Sequence, residues 1–249
     1  MSNGLRILLL GLLLPLAGCT SLVTSFTRDF AEDLATAIVD NEDIEMVRAG
    51  APSYLILVDS LVKRSPEDAF LLRQSATLHS AYAAAFVDDP GRAKLLHVKA
   101  KTQALQAVCL ELRNGCDLDT RRYKDFERWV ARQDEDSVQV LYTLGTAWAG
   151  WIQANSDDFT AVADLARVKA VMLRVAEVAP DHESGGAYLY LGVFETLLPP
   201  GMGGKPELGR EYFEQAIVRS DGQNLLSKVM FAEQYARLVF DRELHDNLL

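Results

Sequence analysis

Apolar residues recur every three or four positions along most of the chain, which is the spacing of one face of an α-helix. Strict alternation of apolar and polar residues, which is typical of strands, does not stand out in any segment. Prolines stand at four expected helix starts, where a missing N–H costs nothing: Pro52, Pro66, Pro90 and Pro206. The pattern predicts helices over residues 27–41, 51–64, 67–86, 91–113, 119–132, 136–155, 158–179, 184–198, 207–220 and 224–247.

The predicted helices also carry a spacing of small and large residues that is typical of tetratricopeptide hairpins. Two segments have it: Ala93, His97 and Ala100, and Gly209, Phe213 and Ala216. Leu144-Gly145 and Leu191-Gly192 supply small residues in partner helices. Small residues let antiparallel helices approach closely, and the large residue fills the groove. We therefore expect an all-α protein, a tetratricopeptide-like array of helical hairpins forming an α-α superhelix.

The N-terminus has the features of a bacterial lipoprotein signal. One basic residue, an apolar stretch and then Leu16-Ala17-Gly18-Cys19 occur in the order that directs lipid attachment to the cysteine. An ordinary signal peptide with an incidental cysteine, or a buried helix, is the alternative. We expect residues 1–18 to be removed, Cys19 to carry palmitate, and residues 19–45 to form a linker and leader helix before a helical domain over residues 46–249. The residue after Cys19 is Thr20, whereas Asp at this position would favour retention in the inner membrane. We therefore expect the lipidated protein on the periplasmic face of the outer membrane.

Charge and composition narrow the function further. The chain has 35 acidic and 25 basic residues, a net charge of −10, which disfavours binding to nucleic acid. Zinc-protease, phosphate-loop and calcium-loop motifs are missing, and 3 cysteines with 4 histidines leave few metal ligands. We therefore expect neither an enzyme nor a bound metal or cofactor. His79, His97 and His182 are interpreted as packing or surface residues.

Cys109 and Cys116 are candidates for a disulfide in an oxidising compartment. Cys109 lies near the end of a predicted helix, which Asn114-Gly115 terminates. The chain reversal can bring Cys116 back to Cys109, whereas seven residues along a continuous helix would be too far apart. Two separate thiols are the alternative.

Several strings of residues are unusual for a plain helical repeat: Gly50-Ala-Pro-Ser-Tyr-Leu55, Leu141-Tyr-Thr-Leu-Gly-Thr-Ala-Trp-Ala-Gly-Trp-Ile152, Leu198-Pro-Pro-Gly-Met-Gly-Gly-Lys-Pro206 and Tyr235-Ala-Arg-Leu-Val-Phe-Asp-Arg-Glu-Leu-His-Asp246. Together with the lipobox, they resemble the T-component family of TRAP transporter accessory lipoproteins. The resemblance runs from about residue 45 to the C-terminus. It implies a periplasmic helical-repeat lipoprotein that associates with the transporter's substrate-binding subunit. It also implies homotrimers with a pore through each protomer.

Aromatic residues in two predicted helices are candidates for binding a ligand or partner. Trp148 and Trp151 lie three residues apart on one helix, with Tyr142 further back. They either line an apolar channel or partner surface, or they pack in the core. In a later helix, Tyr188 and Glu195 flank Tyr190 and Phe194. Glu195 either faces solvent or lines a polar pocket, since burial without a partner would be costly.

A loop and the final predicted helix complete the set of candidates. Residues 198–206 are rich in Gly and Pro, and insertions of this kind often lie on the binding face of a repeat protein. Met202 and Lys205 are its candidate contact residues, although the loop is equally interpretable as a structural turn. Glu233, Arg237, Asp241 and His245 follow at four-residue steps, which predicts either a solvated row of ion pairs or a buried contact. Among these, Arg237 and Asp241 are candidate binding residues, since guanidinium groups recognise carboxylates.

The sequence thus favours an accessory T-component of a TRAP-type uptake system that acts without catalysis. It would bind the substrate-binding subunit and pass a small apolar or carboxylate ligand through an internal channel. The alternative is an envelope scaffold lipoprotein that mediates protein–protein contacts without ligand transfer.

Overall fold

The computed structural model describes residue 37, residues 41–198 and residues 200–249. Within these residues the chain is helical and has no strand, which confirms the all-α prediction. The α-helices are α1 (Ile44–Arg64), α2 (Ala69–Phe86), α3 (Pro90–Glu111), α4 (Tyr123–Val130), α5 (Val138–Ala154), α6 (Phe159–Ala163), α7 (Leu165–Val178), α8 (Gly186–Thr196), α9 (Pro206–Arg219), α10 (Leu225–Met230) and α11 (Arg242–Leu248).

Shorter helical segments join several of these helices. Three are 3-10 turns, and the fourth is a π-helix that follows α10 directly. Their bounds are Glu135–Ser137, His182–Gly185 and Pro200–Met202 for the 3-10 turns, and Phe231–Ala236 for the π-helix.

Carboxylate and amide side chains begin many of the helices. Asp68, Asp89, Asp158 and Asn224 each accept a hydrogen bond from a backbone N–H in the first turn of the helix that follows. Each of these caps satisfies a backbone donor that has no partner within its own helix.

The predicted start of the first described helix is wrong. Pro52 was expected at a helix entry, but α1 begins at Ile44 and contains Pro52 in its interior. Proline inside a helix removes one backbone hydrogen bond, so it is expected in the first turn. This expectation predicted a helix start at residue 51, which the chain does not adopt. The leader helix expected over residues 27–41 lies outside the described residues, apart from residues 37 and 41.

The continuous helix expected over residues 224–247 is also wrong. The helical hydrogen bonding ends near Phe240, whose φ of 58° is left-handed, and Asp241 then caps a new helix by accepting from the N–H of Leu244 at 2.9 Å. The helix expected over residues 158–179 is likewise divided, into α6 and α7 at Asp164.

The chain divides into two compact units between Tyr54 and Leu55, within α1, and the packing that follows concerns residues 55–249. Helices that are close in sequence pack against each other: α2 with α3, α3 with α5, α5 with α7, α7 with α8, and α8 with α9. The main core surrounds large, fully buried side chains such as Trp148, Phe126 and Met172. A smaller core around Phe213 joins α8 and α9 to the π-helix.

Small residues occupy the close contacts between helices, as the spacing predicts. A Cβ on Gly192 of α8 would lie 2.8 Å from the ring of Phe213, and one on Gly209 of α9 would lie 3.1 Å from the carbonyl oxygen of Gly192. A Cβ on Gly145 of α5 would lie 2.6 Å from Cε of Met172 on α7. The description of the whole array as a tetratricopeptide-like superhelix stays a prediction.

Candidate functional site

A partly exposed aromatic surface extends across α5 and α8. Tyr142, Thr146 and Ala149 share one face of α5, and all three are half-buried. Tyr190 and Phe194, also half-buried, share one face of α8 and lie with their ring centroids 6.3 Å apart. The ring of Tyr142 meets that of Tyr190 edge-on at 6.3 Å, which makes the two faces continuous. These five residues are called the aromatic face below.

The turn before α8 fixes the position of Tyr142. Glu183 and Gly185 have φ values of 48° and 78°, so this short turn reverses the chain through left-handed backbone. The reversal places the ring of His182 edge-on to that of Tyr142, with 5.0 Å between the centroids. It also sets Gly186 against Tyr142, because a Cβ there would lie 3.0 Å from Cζ of the tyrosine and closer still to its hydroxyl oxygen.

The two phenolic hydroxyls of the aromatic face, those of Tyr142 and Tyr190, are neutral, and neither has a hydrogen-bond partner among the described residues. Burial raises the pKa of Tyr190 to about 12. Burial also raises the pKa of Tyr142, and the charges of Tyr190 and Glu183 add to this effect. At neutral pH both groups are therefore phenols that can donate a hydrogen bond to a bound molecule.

Trp148 and Trp151 lie on other faces of α5 from Tyr142. Trp148 is fully buried, and its indole N–H donates to Asp164 at 3.1 Å. The ammonium of Lys101 lies 4.7 Å from the ring centroid of Trp148 and 3.6 Å from that of Trp151. Burial lowers the pKa of Lys101, and the carboxylate of Asp164, 3.7 Å away, partly offsets that effect. The two tryptophans thus hold an internal cation, and the structure does not bring them to the aromatic face.

Glu195 is buried, so the first of its two predicted alternatives, in which it faces solvent, is wrong. The residue is only 4% exposed and forms an ion pair with Lys169 of α7. Burial raises the pKa of Tyr212 on α9, and the charge of Glu195 raises it further. Tyr188 donates to the carbonyl oxygen of Ala176 at 3.3 Å. Tyr188 and Glu195 therefore join α8 to α7 and α9, on a different side of α8 from the aromatic face.

The loop after α8 presents apolar and basic groups to solvent. Leu197 and Leu198 are 47% and 43% exposed, and Lys205 is exposed as well. The backbone N–H of Lys205 donates to the carbonyl oxygen of Glu195 at 2.9 Å, which ties the end of the loop back to α8. Met202 is in the loop, but its side chain lies outside the described residues.

The four-residue ladder expected near the C-terminus forms only in part. Arg237 forms an ion pair with Glu233, four residues earlier. Asp241 instead caps α11, and His245 lies 3.2 Å from Asp246. The left-handed residue between the helices breaks the common face that the ladder requires. An open groove of about 560 Å³ lies here, lined by Ala236, Arg237, Phe240, Asp241, Arg242, His245 and Asp246.

Cys109 and Cys116 are joined by a disulfide, with their Cα atoms 4.3 Å apart. Asn114, at a φ of 56°, and Gly115 reverse the chain between them. A Cβ on Gly115 would lie 2.9 Å from the carbonyl oxygen of Leu112, so glycine is needed for this close return.

The sequence identified the aromatic residues of α5 and α8 as candidates, but it did not predict that Tyr142 and Tyr190 are in contact. Their contact depends on the left-handed turn before α8, and Gly186 was the one local signal for close approach to a neighbouring side chain. Lys101 was missed entirely, because a lysine in an amphipathic pattern is usually assigned to a solvated face.

Among the described residues, no group of three or more histidine, cysteine, aspartate or glutamate side chains is arranged to hold a metal ion. None of the helices in the described part of the chain has the length and hydropathy that a membrane span requires.

Over the described residues the fold and the aromatic face define an all-α protein whose successive helices pack against each other and leave an aromatic surface partly exposed. The family model of the TRAP transporter T-component matches residues 40–249. The chain therefore belongs to the TRAP transporter T-component family, which indicates an accessory component of a TRAP transporter in a membrane-associated or periplasmic location. A search of curated proteins found no match to the chain.

Proposed function

We propose that the protein is a lipid-anchored T-component that binds the periplasmic substrate-binding subunit of its transporter and passes a small ligand along the aromatic face. Family membership supports the association with a TRAP transporter. The observation that carries the ligand proposal is the continuous, half-buried surface of Tyr142, Tyr190 and Phe194, whose two tyrosine hydroxyls have no hydrogen-bond partner among the described residues. Homotrimers with a channel through each protomer belong to the same proposal.

The loop after α8 is the proposed contact surface for the substrate-binding subunit. Exposed Leu197 and Leu198 offer apolar area, and Lys205 offers a positive charge on a protein whose net charge is −10. Interfaces commonly combine an apolar centre with charged groups at the rim. The hydrogen bond from Lys205 to Glu195 anchors the loop to a buried helix, so the surface is held in place before binding.

Partner binding is tested with a purified TRAP substrate-binding subunit from the same organism. The immobilised protein should capture that purified subunit with a dissociation constant around micromolar, because proteins that share a compartment through a tether need only modest affinity. Lys205→Glu combined with Met202→Ser should weaken capture. Lys124→Glu, an equal charge change on the exposed surface of α4, is the matched control and should not.

Two negative outcomes of the capture experiment would lead to different conclusions. If the wild-type protein does not bind the substrate-binding subunit, the envelope-scaffold alternative replaces the transport proposal. If both lysine variants bind like the wild type, the loop is a structural turn and the interface lies elsewhere.

Lipid anchoring at Cys19 is a separate part of the proposal, supported by the Leu-Ala-Gly-Cys motif. Two or more acyl chains hold a protein stably on a membrane, whereas one chain holds it marginally. Cys19→Ala should abolish incorporation of labelled palmitate and leave the precursor uncleaved. Normal labelling of that variant would contradict the lipoprotein assignment.

A further inference from the structure

The polarity of the aromatic face restricts the ligand that it can bind. Its apolar surface comes from the rings of Tyr142, Tyr190 and Phe194 and from the small side chain of Ala149. Its polar groups without a partner in the described part of the chain are the hydroxyls of the two tyrosines, since Thr146 donates to the carbonyl oxygen of Thr143 at 3.1 Å. Such a surface accommodates an apolar body and one hydrogen-bond acceptor.

The charges around the two phenols distinguish between kinds of acceptor. Among the described residues, the carboxylate of Glu183 raises the pKa of Tyr142, and the lysine and arginine groups that lie over aromatic rings lie over rings other than those of Tyr142 and Tyr190. The same burial that raises the pKa of both phenols would penalise an anion placed beside them. Lys101 and Lys169 are each committed to a carboxylate on other faces of the helices, Asp164 and Glu195 respectively.

We infer that the aromatic face is a binding site for an uncharged ligand with an apolar body and a carbonyl-type acceptor, which takes hydrogen bonds from Tyr142 and Tyr190. This inference rests on the proposed ligand passage and narrows it, because it excludes the carboxylate that the sequence left open. The ring of His182, edge-on to Tyr142 at 5.0 Å, adds apolar contact at the end of the site.

The test compares two probes with the same apolar chain and head groups of nearly the same shape, the uncharged amide of hexanamide and the carboxylate of hexanoate. Ligand-detected NMR titrations at pH 7.5 on the purified full-length protein measure both affinities. Hexanamide should bind at least about tenfold more tightly, since the carboxylate must be desolvated without a cationic partner. The comparison on the wild-type protein needs no variant, so it stands even if a substitution impairs folding.

Variants then locate the site. Tyr142→Phe and Tyr190→Phe keep the rings and remove the donors, and each should lower hexanamide affinity about 2- to 12-fold, the effect of one hydrogen bond. Tyr123→Phe on α4 is the control and should bind like the wild type. The inference is overturned if hexanoate binds as tightly as hexanamide, if neither probe binds, or if the double Phe variant keeps full affinity. These outcomes are separate from the partner proposal, because capture of the substrate-binding subunit is measured without a small ligand.

Discussion

Gly186 should be indispensable to the aromatic face, and alanine there is the most informative single change. Its backbone, at φ −55° and ψ −32°, suits alanine, so backbone strain contributes nothing. The new Cβ would instead lie 3.0 Å from Cζ of Tyr142 and closer to the hydroxyl oxygen. The ring of Tyr142 cannot retreat freely, because His182 and Tyr190 pack on it at 5.0 and 6.3 Å. Overpacking of this kind costs about 1–3 kcal/mol.

Urea unfolding followed by circular dichroism measures this cost. Gly186→Ala should lower the free energy of unfolding by about 1–3 kcal/mol. Gly91→Ala is the matched control at the start of another helix, where the nearest atom, Oδ1 of Asp89, would be at an ordinary 3.4 Å, and it should change stability little.

A double-variant cycle identifies the clashing atom. Tyr142→Phe alone should cost little, because its hydroxyl has no partner among the described residues. In that background Gly186→Ala should cost about 1 kcal/mol less than in the wild type, since the nearest atom has been removed. A Gly186→Ala protein as stable as the wild type would refute the close approach of Tyr142 to α8. An unchanged cost in the Phe background would show that the hydroxyl is not the obstacle.

Three further predictions concern stability. Burial lowers the pKa of His79 and His97 below the ordinary value of about 6.5, so the unfolded chain binds protons before the folded chain does as the pH falls. Stability should therefore be full above about pH 7 and decline as the pH falls through about 6.5. In the His79→Gln/His97→Gln double variant, the melting temperature should change less between about pH 7.5 and 5.5 than in the wild type. Loss of the disulfide in Cys109→Ser/Cys116→Ser should lower the free energy of unfolding by about 2–3 kcal/mol, and equal urea midpoints for the variant and the wild type would contradict this. The intact mass of the wild-type protein without reductant should be two hydrogens below its reduced value. Phe213→Ala should cost about 3–5 kcal/mol in urea unfolding, and a smaller loss would mean that α8 and α9 pack more loosely than described.

The sequence predicted the helical class and the small-residue contacts because both depend on local spacing. Gly192 and Phe213 meet as the hairpin pattern requires, since antiparallel neighbours place such residues opposite each other. The end of the final helix could not be read in the same way. Phe240 is a poor candidate for left-handed backbone on intrinsic preference, so nothing local marks the break there.

The burial of charged groups was the other feature that the sequence could not predict. Glu195 was assigned to solvent or a polar pocket because the partner that makes its burial tolerable, Lys169, lies on a different helix. Trp148 and Trp151 were candidates for a channel, but the position of Lys101 over their rings depends on how α3 crosses α5. Such partnerships arise from tertiary packing, and the spacing within one helix carries no information about them.

Binding of the purified substrate-binding subunit to the immobilised full-length protein tests the central claim most directly. Surface plasmon resonance should show saturable binding near micromolar affinity, weakened at least about fivefold, or roughly 1 kcal/mol, by Lys205→Glu with Met202→Ser and unchanged by Lys124→Glu. Absence of saturable binding by the wild-type protein would contradict the proposed role as the T-component that engages the substrate-binding subunit.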